Sequence, residues 1–400
     1  MVQASPYFFY VCSGRNFKKS DPGRKIFEVV RCWRELGFQI EHTCGADIST
    51  NRRKTEHGLP TTNIQNRPGR SRIQSFSPAI FHSISEFRDI RHDRKMLSHL
   101  RSLSQKRKPE FIWERSCRLH WAGLKHAKEL GVPYILEWKD HLVDYQASWY
   151  RNRALALELK KNNKADRIVV ESNVLKDNLI NQGINGAKII VAHNAIDSSI
   201  FRPNQDHRKL KRAELGIDND TILAGYLGSY AFYHNTELLI QAANLVENPK
   251  VKFVLIGDGL ELEQCRTLAK KLGVLEKNLV MLPRTTMDQV PLILCALDIA
   301  ILPGSTDIIC PIKIQEYMAS GTATVAPDYS CNREVVPNEN VGSLFQPGNA
   351  NALANAIDEL ANNPSRRNAI GAAARNHVLQ EFTWEKTWGR AIELVHKAFH

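Results

Sequence analysis

Two α/β units, each built on a parallel sheet, are what this sequence predicts, and three observations lead there. Strand-length apolar runs alternate with helix-period segments from Tyr7 to Ala326. The alternation is interrupted by one polar, proline-containing stretch, Asn194–Asn204. The chain of 400 residues exceeds what one hydrophobic core usually organises.

The elements follow in order. Tyr7 to Val11 is a buried-strand run, and Arg24 to Leu36 is helical, ending at Gly37 as a C′ glycine would end it. Gln39–Thr43 is a second strand, so the order implies a right-handed parallel crossover. Residues 46–78 are polar, basic and aperiodic and read as a long mobile loop, before a basic helix over Ile80 to Gln105. FIW is a strand, Leu119–Leu130 a helix, YILEW a strand, RIVVES a strand, Val174–Gln182 a helix and KIIVAHN a strand. A second series starts at Thr221. ILAGYLG, KFVLIGDG, LVML, IAILP and TATVA are its strands; Thr236–Val246, Glu261–Leu272, Gln289–Ala296 and a segment from Pro311 are its helices. The expected domains are 1–198 and 199–382, with 383–400 a terminal helix returning to the first.

Composition narrows the class. Residues 1–200 hold 34 Lys and Arg against 20 Asp and Glu, and residues 201–400 hold 20 against 22, so the excess of +12 sits in the first half. That asymmetry points to an anionic partner there. Its charges interleave with few aromatics, which argues against nucleic acid as the partner. Eight scattered Cys without a Cys-x-x-Cys pair suit reduced, mostly buried thiols. The N-terminus lacks a basic n-region, and Val290 to Pro303, broken by Asp298, falls short of the roughly 20 residues of a membrane span. A soluble, cytoplasmic protein is expected, one that touches an anionic membrane surface.

Ligands of parallel α/β units bind beyond the C-terminal ends of the strands. The richest such segment is Pro303–Asp328, PGSTDIICPIKIQEYMASGTATVAPD. Pro311 sits at the start of a helix and Gly321 at its end. Lys313, Glu316, Tyr317 and Ser320 share one face, while Ile314 and Met318 point elsewhere. A helix N-terminus with Lys313 in its first turn attracts an anion, and Glu316 offers acceptors to a sugar diol. An ordinary i,i+3 surface pair of Lys313 and Glu316 fits the spacing as well.

PIKIQEYMASGTATVAPD resembles the donor-binding segment of the family 4 (group 1) glycosyltransferases of GT-B fold, in the subgroup with a P-x-K-x-x-E-Y-M-A donor helix. KIIVAHNAIDSSIFRP resembles the family's interdomain strand and linker, VLIGDGLELEQC its first crossover turn, and FTWEKTWGRAIELVHKAF its terminal helix. The resemblance covers residues 110–400 well and 1–50 weakly. It implies two Rossmann-like domains facing a cleft that closes about Asn194–Asn204. It also implies a retaining transfer of a hexose-type sugar from a nucleotide diphosphate donor to a glycan or lipid-linked acceptor, in polysaccharide or glycolipid biosynthesis. By that resemblance Glu316 binds the ribose hydroxyls, and Lys313 and the helix start at Pro311 and Ile312 hold the diphosphate, with no cofactor and no metal. The same resemblance puts Tyr226, Gly228, Gly257 and Asp307 among the donor-binding residues.

The chain departs from the family pattern at defined places. Ile308 stands where the first acidic residue is usual, with Asp307 one position off, and Tyr226 stands where Arg is common. Arg284 of LPRTT is the substitute cation expected at the donor. A silent GT-B subunit that binds nucleotide sugar is the alternative these departures raise. In the first half, Asp140 and His141 follow YILEW, where a general base for the acceptor must sit; a turn Asp capping the next helix fits equally. Glu114 and Arg115 are either acceptor or phosphate contacts or a local ion pair. Gly257-Asp258-Gly259 lacks the third glycine of a dinucleotide fingerprint, and Asp218-Asn219-Asp220 precedes a strand, so neither reads as a cofactor or metal site.

Overall fold

The computed structural model describes residues 5–20, 22–48, 78–139 and 148–399. Most of the loop expected over 46–78, and both Asp140 and His141, lie outside the described residues. The chain divides into two compact units, one of Met1–Val170, Lys176–Val191 and Trp388–His400, the other of Glu171–Leu175 and Ala192–Thr387. Each holds a six-stranded parallel sheet, which is the α/β architecture the alternation predicts.

In the first unit the order is β2-β1-β3-β4-β5-β6: Gln39–Cys44, Tyr7–Cys12, Ile112–Arg115, Tyr134–Glu137, Arg167–Val170 and Ile189–Val191. Strand β1, YFFYVC, is covered on both faces, so it needs no alternation of apolar and polar residues. The helix Arg24–Glu35 lays Ile26, Val29, Val30 and Trp33 on the sheet at i, i+3, i+4 and i+7. Its end is a Schellman pair, Gly37 N–H to Arg34 and Phe38 N–H to Trp33. The C-terminal helix Arg390–Lys397 belongs to this unit too: Trp33 Nε1 donates to the Trp388 carbonyl at 2.8 Å, and Lys25 Nζ lies 4.1 Å from the Trp388 ring centre. The expected helix over Leu119–Leu130 starts later, at Ala122, because Leu119 takes a left-handed φ of 61° that a helix cannot contain.

In the second unit the order is β12-β11-β10-β7-β8-β9: Ser343–Phe345, Ala323–Pro327, Ile299–Ile301, Ile222–Leu227, Val251–Ile256 and Leu279–Leu282. The edge strand β12 is too short to announce itself in sequence. Asp298 organises the sheet's N-terminal edge: it accepts from Leu223 N–H at 2.8 Å and pairs with Arg208 and Arg212. Asn194–Asn204 is not a free tether. Ile196 N–H bonds to the Phe382 carbonyl, Asn194 bonds to Cys310 and Gln315, and Phe201 is buried in this unit's core. All eight cysteines are free, and seven are buried. No helix among the described residues is long and apolar enough to cross a membrane.

Candidate functional site

The strand ends of the second unit converge on the helix Ile312–Ala319. Pro311 is its N-cap rather than its first residue, with ψ 139°. Ile312 opens the helix half-buried, and Gly321 closes it. Ile314, Glu316, Tyr317 and Met318 are all buried, so the two faces distinguished in sequence are both inside. Lys313 is the charged residue of its first turn.

Lys313 lies over the end of β7. A methyl group on Gly228 would stand 2.6 Å from Lys313 Cε and 2.4 Å from Tyr226 Oη, and one on Gly257 would stand 1.7 Å from the Gly228 carbonyl. Only glycine at both positions lets the two strand ends and the lysine stem occupy this space. Lys313 Nζ is 3.3 Å from His234 Nε2, and His234 Nδ1 is 3.3 Å from the Gly304 carbonyl. Burial, with help from the Lys313 charge, lowers the His234 pKa to about 4, so the ring is neutral at pH 7. Its Nδ1 then carries the proton and donates to Gly304, leaving Nε2 to accept from the lysine. Burial also holds Lys313 below the usual lysine pKa, with the Glu316 carboxylate acting the other way.

The loop from β10 to this helix is held at alternate positions. His234 binds the Gly304 carbonyl, Cys331 Sγ approaches that of Thr306 at 3.6 Å, Ser172 Oγ donates to that of Ile308, and Asn194 donates to that of Cys310 at 3.1 Å. Asn332 adds a bond to Ser305 Oγ. With its backbone fixed this way, the loop leaves Asp307 exposed and Ile308 half-buried. Glu334 holds the neighbouring helix start: its carboxylate accepts from the Asn173 and Val174 N–H groups and lies 2.6 Å from His193 Nε2. Burial pushes Glu334 up, but His193 and those N–H groups outweigh it and keep the pKa below the usual glutamate range.

Two residues expected at the donor are placed differently. Tyr226 is a core residue: its ring is fully buried and its hydroxyl donates to the Ser229 carbonyl at 2.8 Å, so it supports the site from below. Arg284 is exposed just beyond β9, at the sheet's far edge from β10 and β11. His234 was not legible as a site residue, since its only sequence signal is a histidine beside the helix-starting Asn235–Thr236.

Glu114 and Arg115 are not acceptor contacts. Both are buried, and they do not pair with each other. Glu114 accepts from Tyr134 Oη at 2.6 Å and Leu124 N–H at 3.3 Å. Arg115 pairs with Glu137, which also receives Tyr10 Oη at 2.9 Å and Trp113 Nε1 at 3.4 Å and lies 3.6 Å from Lys25 Nζ. A parallel strand buried on both faces can carry such charges only when each meets a partner inside. Nearby, burial works against a charged His120, yet Cys117, Asp89 and Asp93 outweigh it and raise its pKa to about 10. Asp218 is a turn residue, accepting from Thr221 N–H at 2.7 Å. A cavity of about 680 Å³ lined by Thr221, Lys250 and Asp298 lies by the strand starts, the wrong end for strand-end chemistry.

Residues 207–377 match the family described as "Glycosyl transferases group 1", and residues 22–195 match "Glycosyl transferase 4-like domain". The alpha-maltose-1-phosphate synthase of Mycolicibacterium smegmatis is 25% identical over 316 residues, 71% of this chain and 77% of its own length. The D-inositol 3-phosphate glycosyltransferase of Mycobacterium leprae is 28% identical over 238 residues, 56% of this chain and 53% of its own, so the chain spans about half of that relative. The crystal structure of Anabaena HepE in complex with UDP and glucose is similar in fold, with a TM-score of 0.70 at 15% identity, covering 98% of this chain and all of that one.

Proposed function

We propose that this chain is a group 1 glycosyltransferase of GT-B fold, a retaining enzyme moving a hexose-type sugar from a nucleotide diphosphate donor to a glycan or lipid-linked acceptor. The observation that carries the reading is the Lys313–His234 contact above Gly228, at the end of β7 and the start of a helix. A leaving diphosphate gathers negative charge as the glycosidic bond breaks, and a fixed ammonium beside helix N–H groups stabilises that charge. Neutral His234 positions Lys313 without adding charge of its own. An incoming diphosphate favours the protonated form of Lys313 and so opposes the effect of burial.

In this reading Glu316, three residues on, is the acceptor of the donor's ribose hydroxyls, and Asp307, exposed on its fixed loop, is a further donor contact. Neither step requires a metal. A UDP-sugar is the first donor to test, because HepE was solved with UDP and glucose. The acceptor falls to the first unit, whose residues carry the basic excess, and Asp140 or His141 after β4 takes the acceptor proton. An acidic membrane surface at the cytoplasmic face, in polysaccharide or glycolipid synthesis, fits that charge.

Thermal melting against UDP-, GDP- and ADP-sugars tests the donor, since ligand at a hundred times its dissociation constant stabilises by about 2.7 kcal/mol. Lys313→Ala and Glu316→Ala are expected to abolish the shift and the release of nucleotide diphosphate; turnover independent of both ends the assignment. A second reading, nucleotide-sugar binding without transfer, draws on Ile308 at the usual acidic position. It predicts the thermal shift without any sugar-transfer product.

A further inference from the structure

We infer that a pocket in the first unit, between the helices Pro78–Lys106, Ala122–Leu130 and Arg151–Lys164, binds the phosphate head and first chain methylenes of an anionic phospholipid. The pocket measures about 420 Å³. Four cations line it, Arg94, Lys125, Arg153 and Lys160, and all four are exposed. Among the described residues, none of the four has a carboxylate within ion-pair distance. The lining carboxylate, Asp93, is buried and already accepts from the Trp121 and Ala122 N–H groups at 3.1 and 3.0 Å. Four like charges converging on one cavity repel each other, and an anion in the cavity reverses the sign of that interaction.

The floor decides what kind of anion fits. Leu97, Leu119 and Leu157 form it, with the Trp121 indole beside them, 4.8 Å from Lys160 Nζ and 6.0 Å from Lys125 Nζ. A bare phosphate would leave that apolar floor in water, and an apolar ligand would leave the cations unmatched. A phosphate ester with hydrocarbon attached satisfies both. Apolar surface continues outside: Phe87, one turn before the Ile90–Arg94 face of the same helix, is 48% exposed, Ile84 is 49% exposed, and Trp149 is 73% exposed. Trp149 stands beside that helix, its N–H donating to Ser83 Oγ at 3.1 Å. Aromatic and aliphatic side chains ringed by Arg and Lys are what a headgroup boundary accommodates. The inference rests on the proposed function only in expecting an acidic lipid near the first unit; no transfer step enters it.

The full chain is tested for binding to dihexanoyl phosphatidic acid below its micelle concentration, to inorganic phosphate, and to phosphatidylcholine vesicles with and without phosphatidic acid. The variant Arg94→Glu/Arg153→Glu/Lys160→Glu is compared with Lys250→Glu/Lys270→Glu/Lys271→Glu, an equal charge change in the second unit. The pocket variant should bind the short-chain lipid at least about tenfold more weakly, with the control unchanged. Lys160→Gln alone, which changes one charge on an exposed side chain, should weaken it in the same direction and guards against misfolding of the triple variant. Equal losses in both triple variants, inorganic phosphate binding as tightly as the lipid, or equal capture by vesicles lacking phosphatidic acid would each overturn the inference. Because donor turnover is not the readout, failure of sugar transfer and failure of this site are separate results.

Discussion

The two units treat the charged residues near the C-terminal ends of their strands in opposite ways. In the first unit, Glu114, Arg115 and Glu137 close on Tyr134, Leu124, Tyr10, Trp113 and Lys25, and every one of these groups is spent inside the core. In the second unit, Lys313 meets a neutral imidazole, which positions an ammonium but does not cancel its charge. The difference lies in the partner. A carboxylate beside a cation completes a structural pair, whereas a histidine held neutral leaves the cation's charge for a ligand.

Four changes bear on that contrast. The largest effect is expected from Glu137→Ala, which removes the carboxylate that faces buried Arg115 and half-buried Lys25 and should cost the first unit about 3–5 kcal/mol in urea unfolding. A cost near zero would mean that these strand ends are not sealed as described. Next, Lys313→Met should lower the turnover of donor by roughly 10²–10³, about 3–4 kcal/mol of barrier, while the melting temperature holds or rises because a desolvated ammonium is gone. A melting temperature that collapses instead would make Lys313 a structural residue like Arg115.

Acid tests whether His234 is held neutral. His234 is held at about 4 in the fold and returns to about 6.5 when unfolded, so the unfolded chain binds more protons between those values. Its contribution to stability is therefore complete above about pH 6.5 and is lost as pH falls to about 4, on the order of 3 kcal/mol in all. His92 in the first unit, also lowered to about 4 mainly by burial, adds a loss in the same window, so the measurement is the difference between wild type and His234→Gln across pH. A pH profile left unchanged by that substitution would show that the fold does not lower the His234 pKa, and Lys313 would then face a like charge once the ring protonates below about pH 6.5. The smallest effect is expected from Gly228→Ala, about 1–3 kcal/mol of strain as the new methyl displaces Lys313 and Tyr226, read as a raised KM for donor with a modest fall in stability.

Much of this molecule was legible in its sequence. Continuous apolar runs such as YFFYVC and ILAGYL mark strands covered on both faces, and the spacing of Ile26, Val29, Val30 and Trp33 marks a helix face. The position of Lys313 in the first turn after Pro311 was legible too. Where Tyr226, Glu114 and Arg115 point was not legible, because a residue at a strand's C-terminal end looks the same in sequence whether it points into the core or out of it. Leu119 shows the same limit in the backbone, since nothing in its neighbours announces a left-handed φ.

The alternation of strands and helices, the basic first half and the cation at a helix start can all be read along the chain, because each is a property of neighbours a few residues apart. What those charges meet depends on residues that folding brings together from distant positions. His234 reaches Lys313 across 79 positions of chain, and Ser172 reaches Ile308 across 136. Such partners share no local period, because the sheet order that joins them is fixed by burial of the whole core and not by any segment of it.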